Sequence, residues 1–177
     1  AFYGPKIDVK IKDNLKREHQ CGTIQLDFNL PERFDLKYKT EDDFERPVLI
    51  HRAIFGSVER FIAILLEHTN GSLPFWLSPR QICIVPVANK YIDYANTIKS
   101  KFIDKFNGTI VDDTSETLNK KIRNAEKLKF NYIFVVGEKE EDANTINIRI
   151  RKKVLGTKSI EETIELCQND YDTKFLF

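Results

Sequence analysis

The second half of the chain alternates strand-like and helix-like patterns, and this regularity limits the possible fold more than any other feature. Residues 81–87 and 132–136 are short apolar runs, which are typical of buried strands. Residues 90–106 and 116–128 carry apolar side chains at helical spacing. Strands that alternate with amphipathic helices in this way predict a mixed α/β sheet with helices packed on it.

The same alternation continues towards the end of the chain. We predict a short strand at 109–111, an alternating strand at 145–151 and a closing helix at 159–167. Ser159 is the expected N-cap of that helix, and Glu162 stands at the capping-box position. The closing helix therefore has a defined start in the sequence.

The first part of the chain has a different, strand-rich pattern. Residues 7–11 alternate apolar and polar side chains, as a half-buried strand does. Within residues 22–28, Thr23, Gln25 and Asp27 alternate with apolar residues and therefore share one face of a strand. That polar face has two interpretations: the solvated face of an edge strand, or a row of hydrogen-bonding groups that lines a polar cleft.

A strand, a turn and a helix follow. Residues 48–55 form an apolar run around one histidine, and residues 58–68 carry a helical apolar stripe. Ser57 is the predicted N-cap of this helix, and Asn70 with Gly71 is its predicted stop signal.

The segment at 73–79 is interpreted as a linker, because its aromatic side chains stand between two prolines. We therefore predict two domains, at residues 1–75 and 80–177. The chain begins at Ala1 and contains no methionine, which favours a piece of a longer protein.

The composition excludes several classes of protein. With 28 Lys and Arg against 27 Asp and Glu, the net charge is +1, so binding to nucleic acid would need a local basic patch. No apolar run reaches the ~20 residues of a membrane span, and we expect no membrane partner. The three cysteines, Cys21, Cys83 and Cys167, are odd in number and far apart, which favours a reducing compartment over a disulfide framework.

One region of the second half is locally basic. Its basic side chains are Lys120, Lys121, Arg123, Lys127, Lys129, Arg149, Arg151, Lys152 and Lys153. The aromatic residues Phe130 and Tyr132 lie close by in sequence, and this combination is typical of a nucleic-acid interface. A solvated helix face with ion pairs to Glu116 and Glu126 is the alternative.

Two positions in the first part could carry chemistry. His51 is either a hydrogen-bonded core histidine or a metal ligand whose partners local spacing does not supply. Arg60 falls one turn into a helix preceded by Gly56, where a bound phosphate would explain a cation at the positive helix end. An ion pair with Glu59 or with an aspartate, on a solvated face, is the alternative. The sequence has no glycine-rich phosphate loop, and no Ser/His/Asp or Cys/His set stands out in it.

Five segments of the chain resemble one family. AFYGPKID at 1–8, QCGTIQLDFNLPERF at 20–34 and HRAIFGSVERF at 51–61 are similar to the C-terminal part of the catalytic domain of threonyl-tRNA synthetases. TLNKKIRNA at 117–125 and FVVGEKE at 134–140 resemble the anticodon-binding domain of the eukaryotic-cytosolic type. The resemblance covers nearly the whole chain.

This resemblance implies a class II aminoacyl-tRNA synthetase, which activates threonine with ATP and magnesium and passes the threonyl group to tRNA(Thr). The implied fold is α/β with an α+β first part. It would consist of part of the antiparallel class II sheet with a helix, followed by a mixed five-stranded α/β anticodon-binding domain. A cytoplasmic location and, for the full-length enzyme, a homodimer are implied as well.

The resemblance also implies roles for the matching residues of the first part. These roles are catalysis by Lys6, Gln25 and Arg60; ATP binding by Gln20, Thr23, Gly56, Ser57 and Arg60; and threonine binding by Tyr3, Gln25 and His51. His51 would in addition be one of three protein ligands of a zinc ion that holds the amino group and hydroxyl of threonine. Because a site built for a hydroxyl strongly rejects its absence, such a site would exclude valine.

In the second part, the resemblance implies anticodon contacts at five positions, which are Ser115, Arg123, Lys129, Glu140 and Arg149. Single-stranded bases are read at their edges by side chains of these types. Ser115 and Lys129 differ from the asparagine and arginine that are usual in the bacterial pattern.

The first two class-defining motifs and the other zinc ligands would precede Ala1. We therefore expect that this chain alone neither binds zinc tightly nor aminoacylates tRNA. The alternative function is a stand-alone anticodon-binding module, in which residues 1–75 only support the second domain. A paralogue without catalysis is disfavoured because Gln25, His51 and Arg60 are all present.

Overall fold

The structure, a computed structural model, describes residues 2–150 and 153–174. It divides into two compact units, one up to Asn70 and one from Gly71 onward. Arg151 and Lys152, two members of the predicted basic patch, lie outside the described residues, as does Ala1 of the first family motif.

The first unit is built on an antiparallel sheet. Its elements in chain order are β1 (Lys6–Lys12), β2 (Glu18–Asp27), α1 (Asn29–Arg33), β3 (Tyr38–Lys39), β4 (Phe44–Glu45), β5 (Leu49–Ala53) and α2 (Val58–His68). β2 lies between β1 and β5 in a three-stranded sheet, and β3 pairs with β4 in a separate hairpin. Because β2 is the central strand, the edge-strand interpretation of residues 22–28 is wrong.

The register of this sheet puts polar side chains from all three strands on one face. Lys6 lies opposite Gln25, and Asp8 lies opposite Thr23. On the other side of β2, Gln25 lies opposite His51. Directly opposed residues of antiparallel strands project to the same face, so these five side chains are neighbours.

A β-bulge extends this polar face by one residue. The register between β1 and β2 shifts after Val9, so that Lys10 lies opposite Gln20 and Cys21 has no direct partner. A bulge re-aims the side chains that follow it, and here it brings Gln20 onto the face of Thr23. Simple alternation along β2 would have put Gln20 on the opposite face.

The apolar face of the same sheet is more exposed than its pattern predicts. Ile7 is 70% exposed and Val9 is 56% exposed, so the expectation of a half-buried strand at 7–11 is wrong for these side chains. The reason is that no described residue of the first unit covers them. Among the described hydrophobic residues of this unit, only Cys21 is buried.

α2 begins and ends where the sequence predicts. The hydroxyl of Ser57 accepts a hydrogen bond from the backbone N–H of Arg60 at 3.3 Å, which confirms Ser57 as the N-cap. Asn70 and Gly71 follow the helix with φ values of 51° and 70°. This left-handed backbone ends the helix, as the Asn-Gly pair predicts.

The second unit is an α/β domain. Its elements are β6 (Ile82–Pro86), a 3₁₀ turn (Asn89–Tyr91), α3 (Ile92–Phe102), β7 (Thr109–Val111), α4 (Leu118–Lys127), β8 (Tyr132–Val136), α5 (Glu138–Ala143), β9 (Thr145–Ile150), β10 (Lys153–Ser159) and α6 (Ile160–Asp172). The strands form a five-stranded sheet in the order β10-β9-β8-β6-β7. β6 runs parallel to β7 and β8, whereas β9 is antiparallel to both of its neighbours. The predicted mixed five-stranded sheet is confirmed.

Both faces of this sheet are covered. One face carries the larger apolar cluster, in which Ile84, Phe102 and Phe134 are fully buried. The other face packs a smaller cluster that includes Cys83 and Ala125. Parallel strands need cover on both faces, and the near-continuous apolar runs of β6 and β8 follow from that requirement.

The aromatic segment predicted as a linker contributes to this core. Phe75 is 5% exposed, and its ring centroid lies 5.2 Å from those of Phe106 and Tyr132. Such contacts between aromatic rings bury a large apolar area. Residue 75 therefore belongs structurally to the second unit.

Two elements of the second unit were not predicted from the sequence. α5 has only six residues and no apolar stripe, because Ala143 is its sole hydrophobic residue. In β10, Val154 and Leu155 are both exposed, so the usual alternation is lost. The capping box of α6 is confirmed, since Ser159 and Glu162 accept hydrogen bonds from each other's backbone N–H.

Candidate functional site

A polar cleft lies on the hydrogen-bonding face of the first sheet. Its volume is about 480 Å³. The side chains that line it are Phe2, Tyr3, Gln25, Asp27, Asn29, Leu30, Arg33 and His51. The structure thus brings together the three residues implied for threonine binding, Tyr3, Gln25 and His51. The cleft interpretation of the polar face fits this geometry.

Asp27 also lines this cleft and was not singled out as a site residue from the sequence. Its Oδ2 lies 2.8 Å from Nε2 of His51. Its Oδ1 accepts hydrogen bonds from the backbone N–H groups of Asn29 and Leu30, at 2.9 and 3.0 Å. The carboxyl is almost fully buried, and these partners replace the water it has lost. The available signal was its position two residues after Gln25 on the same face.

The hydrogen bonds to Asp27 keep it ionised. The N–H of Leu30 lowers the pKa of Asp27 below its ordinary value, with further lowering from His51 and Asn29. Burial acts in the opposite direction but does not prevail. A carboxylate that accepts several hydrogen bonds is stabilised in its charged form.

Gln25 brings an unsatisfied donor to the cleft. Its side-chain nitrogen Nε2 is buried, and no partner for it is found among the described residues. A buried donor without a partner costs free energy, which a ligand with an acceptor atom at this position would recover. Gln25 is therefore suited to hold an oxygen of a bound molecule.

Asp8 organises the neighbouring part of the polar face and was also missed. Its Oδ1 accepts hydrogen bonds from Gln20 and Thr23, each at 2.7 Å. Its Oδ2 forms an ion pair with the ammonium of Lys6 at 2.9 Å. The hydrogen bond from Lys6 is the main reason that the pKa of Asp8 is lowered. Three residues implied for catalysis or ATP binding are thus held by one carboxylate.

Gly56 is required by its surroundings. It has a φ of 66°, and an added Cβ would lie 2.9 Å from the carbonyl oxygen of Cys21. The following residue, Ser57, donates a hydrogen bond from its hydroxyl to Glu59 at 2.8 Å. These contacts fix the turn that leads into α2.

Arg60 is exposed on the first turn of α2 and is not among the residues that line the cleft. Within the described residues, the structure shows no ion pair for Arg60, so the pair with Glu59 is absent there. The cleft therefore brings together Gln25 and His51 but not Arg60.

The zinc ion that the resemblance implies would need three protein ligands. In residues 2–150 and 153–174, no group of three His, Cys, Asp or Glu side chains could hold a metal ion. His51 presents a single imidazole, with Nε2 already directed at Asp27. The described residues therefore supply one candidate zinc ligand, His51, and the other ligands would come from outside them.

The five implied anticodon residues are spread over the second unit. Ser115 and Glu140 follow the carboxyl ends of β7 and β8, which run parallel to β6. Arg149 lies opposite Ile133, near the other end of β8, and Lys129 precedes that strand. The structure does not gather these four residues into one cluster.

Four of these residues differ in their exposure, backbone conformation and hydrogen bonds. Arg123 is exposed on α4, and Lys129 has a φ of 64° just after that helix. Glu140 Oε2 accepts a hydrogen bond from the N–H of Gly137 at 3.0 Å, so one carboxylate oxygen is engaged. Nε of Arg149 is buried, and no partner for it is found in the described part of the chain.

Among the described helices, none is long and apolar enough to cross a membrane.

Two families of protein domain match the chain. Residues 1–69 match the tRNA synthetase class II core domain (G, H, P, S and T). Residues 81–170 match the Anticodon binding domain. The antiparallel sheet and the mixed five-stranded sheet thus define a segment of a class II aminoacyl-tRNA synthetase core followed by an anticodon-binding domain.

Individual relatives narrow this class. The chain is 51% identical to the cytoplasmic threonine–tRNA ligase of Saccharomyces cerevisiae, over 98% of this chain and 25% of the relative. It is 56% identical to the human cytoplasmic threonine–tRNA ligase 1, over 95% of this chain and 24% of the relative. The chain therefore spans about a quarter of the length of these curated relatives.

A solved structure agrees with both relatives. The RNA binding domain of threonyl-tRNA synthetase from Cryptosporidium parvum Iowa II superposes with a TM-score of 0.88 at 44% identity. The match covers 96% of this chain and 44% of that chain. The chain belongs to the threonyl-tRNA synthetase family.

Proposed function

We propose that this chain is the part of a threonine–tRNA ligase that completes the amino-acid site and binds the anticodon of tRNA(Thr). The observation that carries this proposal is the cleft in which the unsatisfied Nε2 of Gln25 lies beside the imidazole of His51. The parent enzyme would activate threonine with ATP and transfer it to tRNA(Thr). It would do so in the cytoplasm, because the curated relatives are named as cytoplasmic enzymes.

In this proposal, Tyr3, Gln25 and His51 bind threonine. The Nε2 donor of Gln25 would meet an oxygen of the amino acid, which removes the cost of leaving it unpaired. A site that hydrogen-bonds a hydroxyl rejects the isosteric methyl of valine much more strongly than an apolar pocket could. The cleft supplies individual polar groups for such selectivity, at Gln25, Asp27 and His51.

The polar face beside the cleft would receive ATP with its magnesium ion. The threonine carboxylate would attack the α-phosphorus in line, forming threonyl-adenylate and releasing pyrophosphate. Lys6 and Arg60 would offset the negative charge of the phosphates, while Gln20, Thr23, Gly56 and Ser57 would contact the nucleotide. The hydrogen bonds that Asp8 accepts keep Lys6, Gln20 and Thr23 in place for this role.

His51 would supply one ligand of a zinc ion. Such an ion, when bound, would hold the amino group and the hydroxyl of threonine. The remaining ligands would come from residues outside this chain. The chain by itself is therefore expected to bind zinc weakly.

The second unit would bind the anticodon through Ser115, Arg123, Lys129, Glu140 and Arg149. Arg149 has a buried Nε that lacks a partner in the described residues, and a base or phosphate acceptor would supply one. Glu140 keeps one carboxylate oxygen for a base, because the other caps α5. We also propose that the two domains predicted at 1–75 and 80–177 act as separate functional units, with Phe75 packed in the second, and that the full-length enzyme is a homodimer.

The alternative is an anticodon-binding module in which the first unit has no ligand. The two functions differ in what the cleft binds, so the test is an NMR titration with a non-hydrolysable threonyl-adenylate analogue. The proposal predicts shifts of the Gln25 side-chain amide and the His51 ring, and smaller shifts with the valyl analogue. Gln25→Leu should weaken the response, and Asp42→Asn, an exposed position outside the cleft, should not.

A parallel fluorescence titration with tRNA(Thr) at several salt concentrations tests the second unit. We expect binding with a steep salt dependence and no ATP–pyrophosphate exchange by this chain alone. Binding of tRNA with no response of Gln25 or His51 to the analogue would favour the module function. Threonyl-adenylate synthesis by the 177-residue chain alone would contradict the expected inactivity.

A further inference from the structure

We infer that Asp27 is a positioning residue that fixes the neutral His51 ring as the Nε2–H tautomer and leaves the lone pair of Nδ1 for a ligand in the cleft. This inference deepens the proposed function, because it concerns the imidazole that would hold threonine through zinc. The hydrogen bonds of Asp27 support it independently of any metal.

The two oxygens of Asp27 have different partners. Oδ1 accepts from the backbone N–H groups of Asn29 and Leu30, so it is committed to two donors that cannot reverse. Oδ2 lies 2.8 Å from Nε2 of His51. An aspartate is ionised at neutral pH and can only accept hydrogen bonds, so Nε2 must carry the proton.

The other ring nitrogen is then an acceptor. A neutral imidazole has one N–H, so protonation of Nε2 leaves a lone pair on Nδ1. The described residues provide no hydrogen bond to Nδ1, and the side chain is 47% exposed in the wall of the cleft. A carboxylate that fixes the second nitrogen in this way is the usual partner of a ligating histidine.

Burial makes this arrangement specific. The side chain of Asp27 is 3% exposed, so water cannot compete for Oδ2. The α1 turn supplies both backbone donors to Oδ1, so the carboxylate cannot rotate without losing two hydrogen bonds. The Asp27 carboxylate therefore sets the tautomer of His51, and the backbone N–H groups of residues 29 and 30 hold that carboxylate in place.

Asp27→Asn tests this inference directly. The amide oxygen would keep the two backbone donors, because an amide nitrogen cannot accept them. The amide nitrogen would then face His51 as a donor, and Nε2 would have to accept. We expect the His51 ring to change to the Nδ1–H tautomer, whereas a merely structural role for Asp27 would not reverse it.

The measurement is the pair of ring ¹⁵N chemical shifts of His51 in the full 177-residue chain, at a pH where the ring is neutral. The native chain should show a pyrrole-type Nε2 and a pyridine-type Nδ1. In the Asp27→Asn chain the two types should exchange. Backbone amide spectra would verify that both chains are folded.

The chain contains a matched control outside the cleft. Asp13 accepts a hydrogen bond from the N–H of Arg17 through Oδ1, and its Oδ2 lies 3.0 Å from Nε2 of His19. Oδ2 of Asp13 also accepts a hydrogen bond from Nε of Arg17 at 2.6 Å. Asp13→Asn should therefore perturb the His19 ring shifts, without a defined tautomer, and leave the His51 shifts as they were. Asp27→Asn should reverse the His51 tautomer and leave the His19 shifts as they were.

A second readout needs no variant. No ring hydrogen bond to His68 is found in the described part of the chain, so its shifts serve as an internal reference for an unfixed ring. His51 should lie closer to the pure Nε2–H limit than His68 does. Equal shifts, a native Nδ1–H tautomer, or a folded Asp27→Asn chain with an unchanged His51 would each overturn the inference.

These outcomes are independent of the synthetase proposal. The ring shifts are measured without ATP, threonine, zinc or tRNA. Tautomer reversal together with no response to the adenylate analogue would sustain the positioning role and refute the proposed ligand. The opposite pair of results would refute the positioning role alone.

Discussion

The two units of this chain are stabilised in different ways. In the second unit, Phe102, Phe134 and Ile148 are fully buried, and apolar side chains cover both faces of the sheet. In the first unit, Ile7 and Ile50 are 70% and 65% exposed, while two carboxylates are buried. One unit thus has the core of an independent domain, and the other depends on hydrogen bonds around its polar face.

This difference also affects how the proposed binding residues are held in each unit. In the second unit, Ser115, Arg123 and Lys129 are exposed and lie outside the apolar clusters, so the closed core can hold them in position. In the first unit, many of the proposed contacts are exposed as well, but several of them are held by hydrogen bonds to Asp8 and Asp27. Substitution of a proposed contact residue should therefore change binding without changing stability in the second unit. In the first unit, substitutions at the polar face should change both.

The largest expected effect is on independent folding. Residues 71–177 expressed alone should unfold cooperatively on heating, because their apolar clusters are complete. Residues 1–70 alone should unfold without a cooperative transition, since they bury little apolar surface. Calorimetry of the two pieces and the whole chain measures this. A cooperative transition in residues 1–70 alone would contradict the claim that only the second unit has the core of an independent domain.

The second-largest expected effect is the loss of stability when an apolar side chain is truncated, which should be greater in the second unit than in the first. Phe134→Ala should destabilise the second unit by about 3–5 kcal/mol, because a fully buried aromatic ring leaves a cavity. Ile50→Ala, at a 65% exposed position of the first sheet, should cost less than ~1 kcal/mol. Urea denaturation monitored at Trp76 and at the histidine signals measures both. Similar losses for the two variants would contradict the assigned difference in packing.

Binding should depend on the second unit. Arg149→Met should weaken binding of tRNA(Thr) by about tenfold to a hundredfold, because a base or phosphate partner is lost. Gln25→Leu, its control in the first unit, should leave the affinity unchanged. Filter binding at fixed salt compares them. An unaffected Arg149→Met chain would remove Arg149 from the proposed interface.

The smallest expected effect is the loss of stability of the first unit at acidic pH. The pKa of Asp13 is lowered well below its ordinary value, chiefly by the hydrogen bond from His19. A lowered pKa stabilises the fold above the ordinary carboxyl pKa, and this stability is lost as pH falls. On acidification, the His19 and His51 signals of the first unit should therefore lose dispersion before the Trp76 signal of the second unit.

Asp13→Asn sharpens that experiment. The variant should be less stable than the native chain at pH 7, and the difference should shrink as pH falls, because the native carboxylate becomes protonated. Asp42→Asn, at an exposed position, is the matched control and should change neither stability nor its pH dependence. A constant difference between the native and Asp13→Asn chains at all pH values would exclude Asp13 as the group responsible.

Local patterns predict most of this fold, because they depend on neighbours in sequence. The helix at 58–68 and its Ser57 cap were predicted from an apolar stripe and a hydroxyl. α5 was missed, because Glu138–Ala143 is too short and too charged to show helical periodicity. The exposure of Ile7 could not be predicted, since burial depends on what else covers the sheet.

The candidate site was only half predictable for a related reason. Alternation put Thr23 and Gln25 on one polar face, but it could not place Gln25 opposite His51, which is a matter of register between strands. Alternation carried back to Gln20 would have put it on the opposite face, because the bulge after Val9 leaves no local sign. Asp8 bonds to Gln20 and Thr23 on β2, and Asp27 bonds to His51 on β5, so these contacts depend on strand register. The only local sign was the position of Asp27 on the face of Gln25.

The most direct test of the account compares two transcripts on the same chain. The central claim is that a closed RNA-binding unit, joined to an open amino-acid cleft, recognises the anticodon of tRNA(Thr). We predict that the 177-residue chain binds the tRNA(Thr) transcript at least about tenfold more tightly than a transcript with a substituted anticodon, at equal salt. Equal affinity for the two transcripts would contradict the claim.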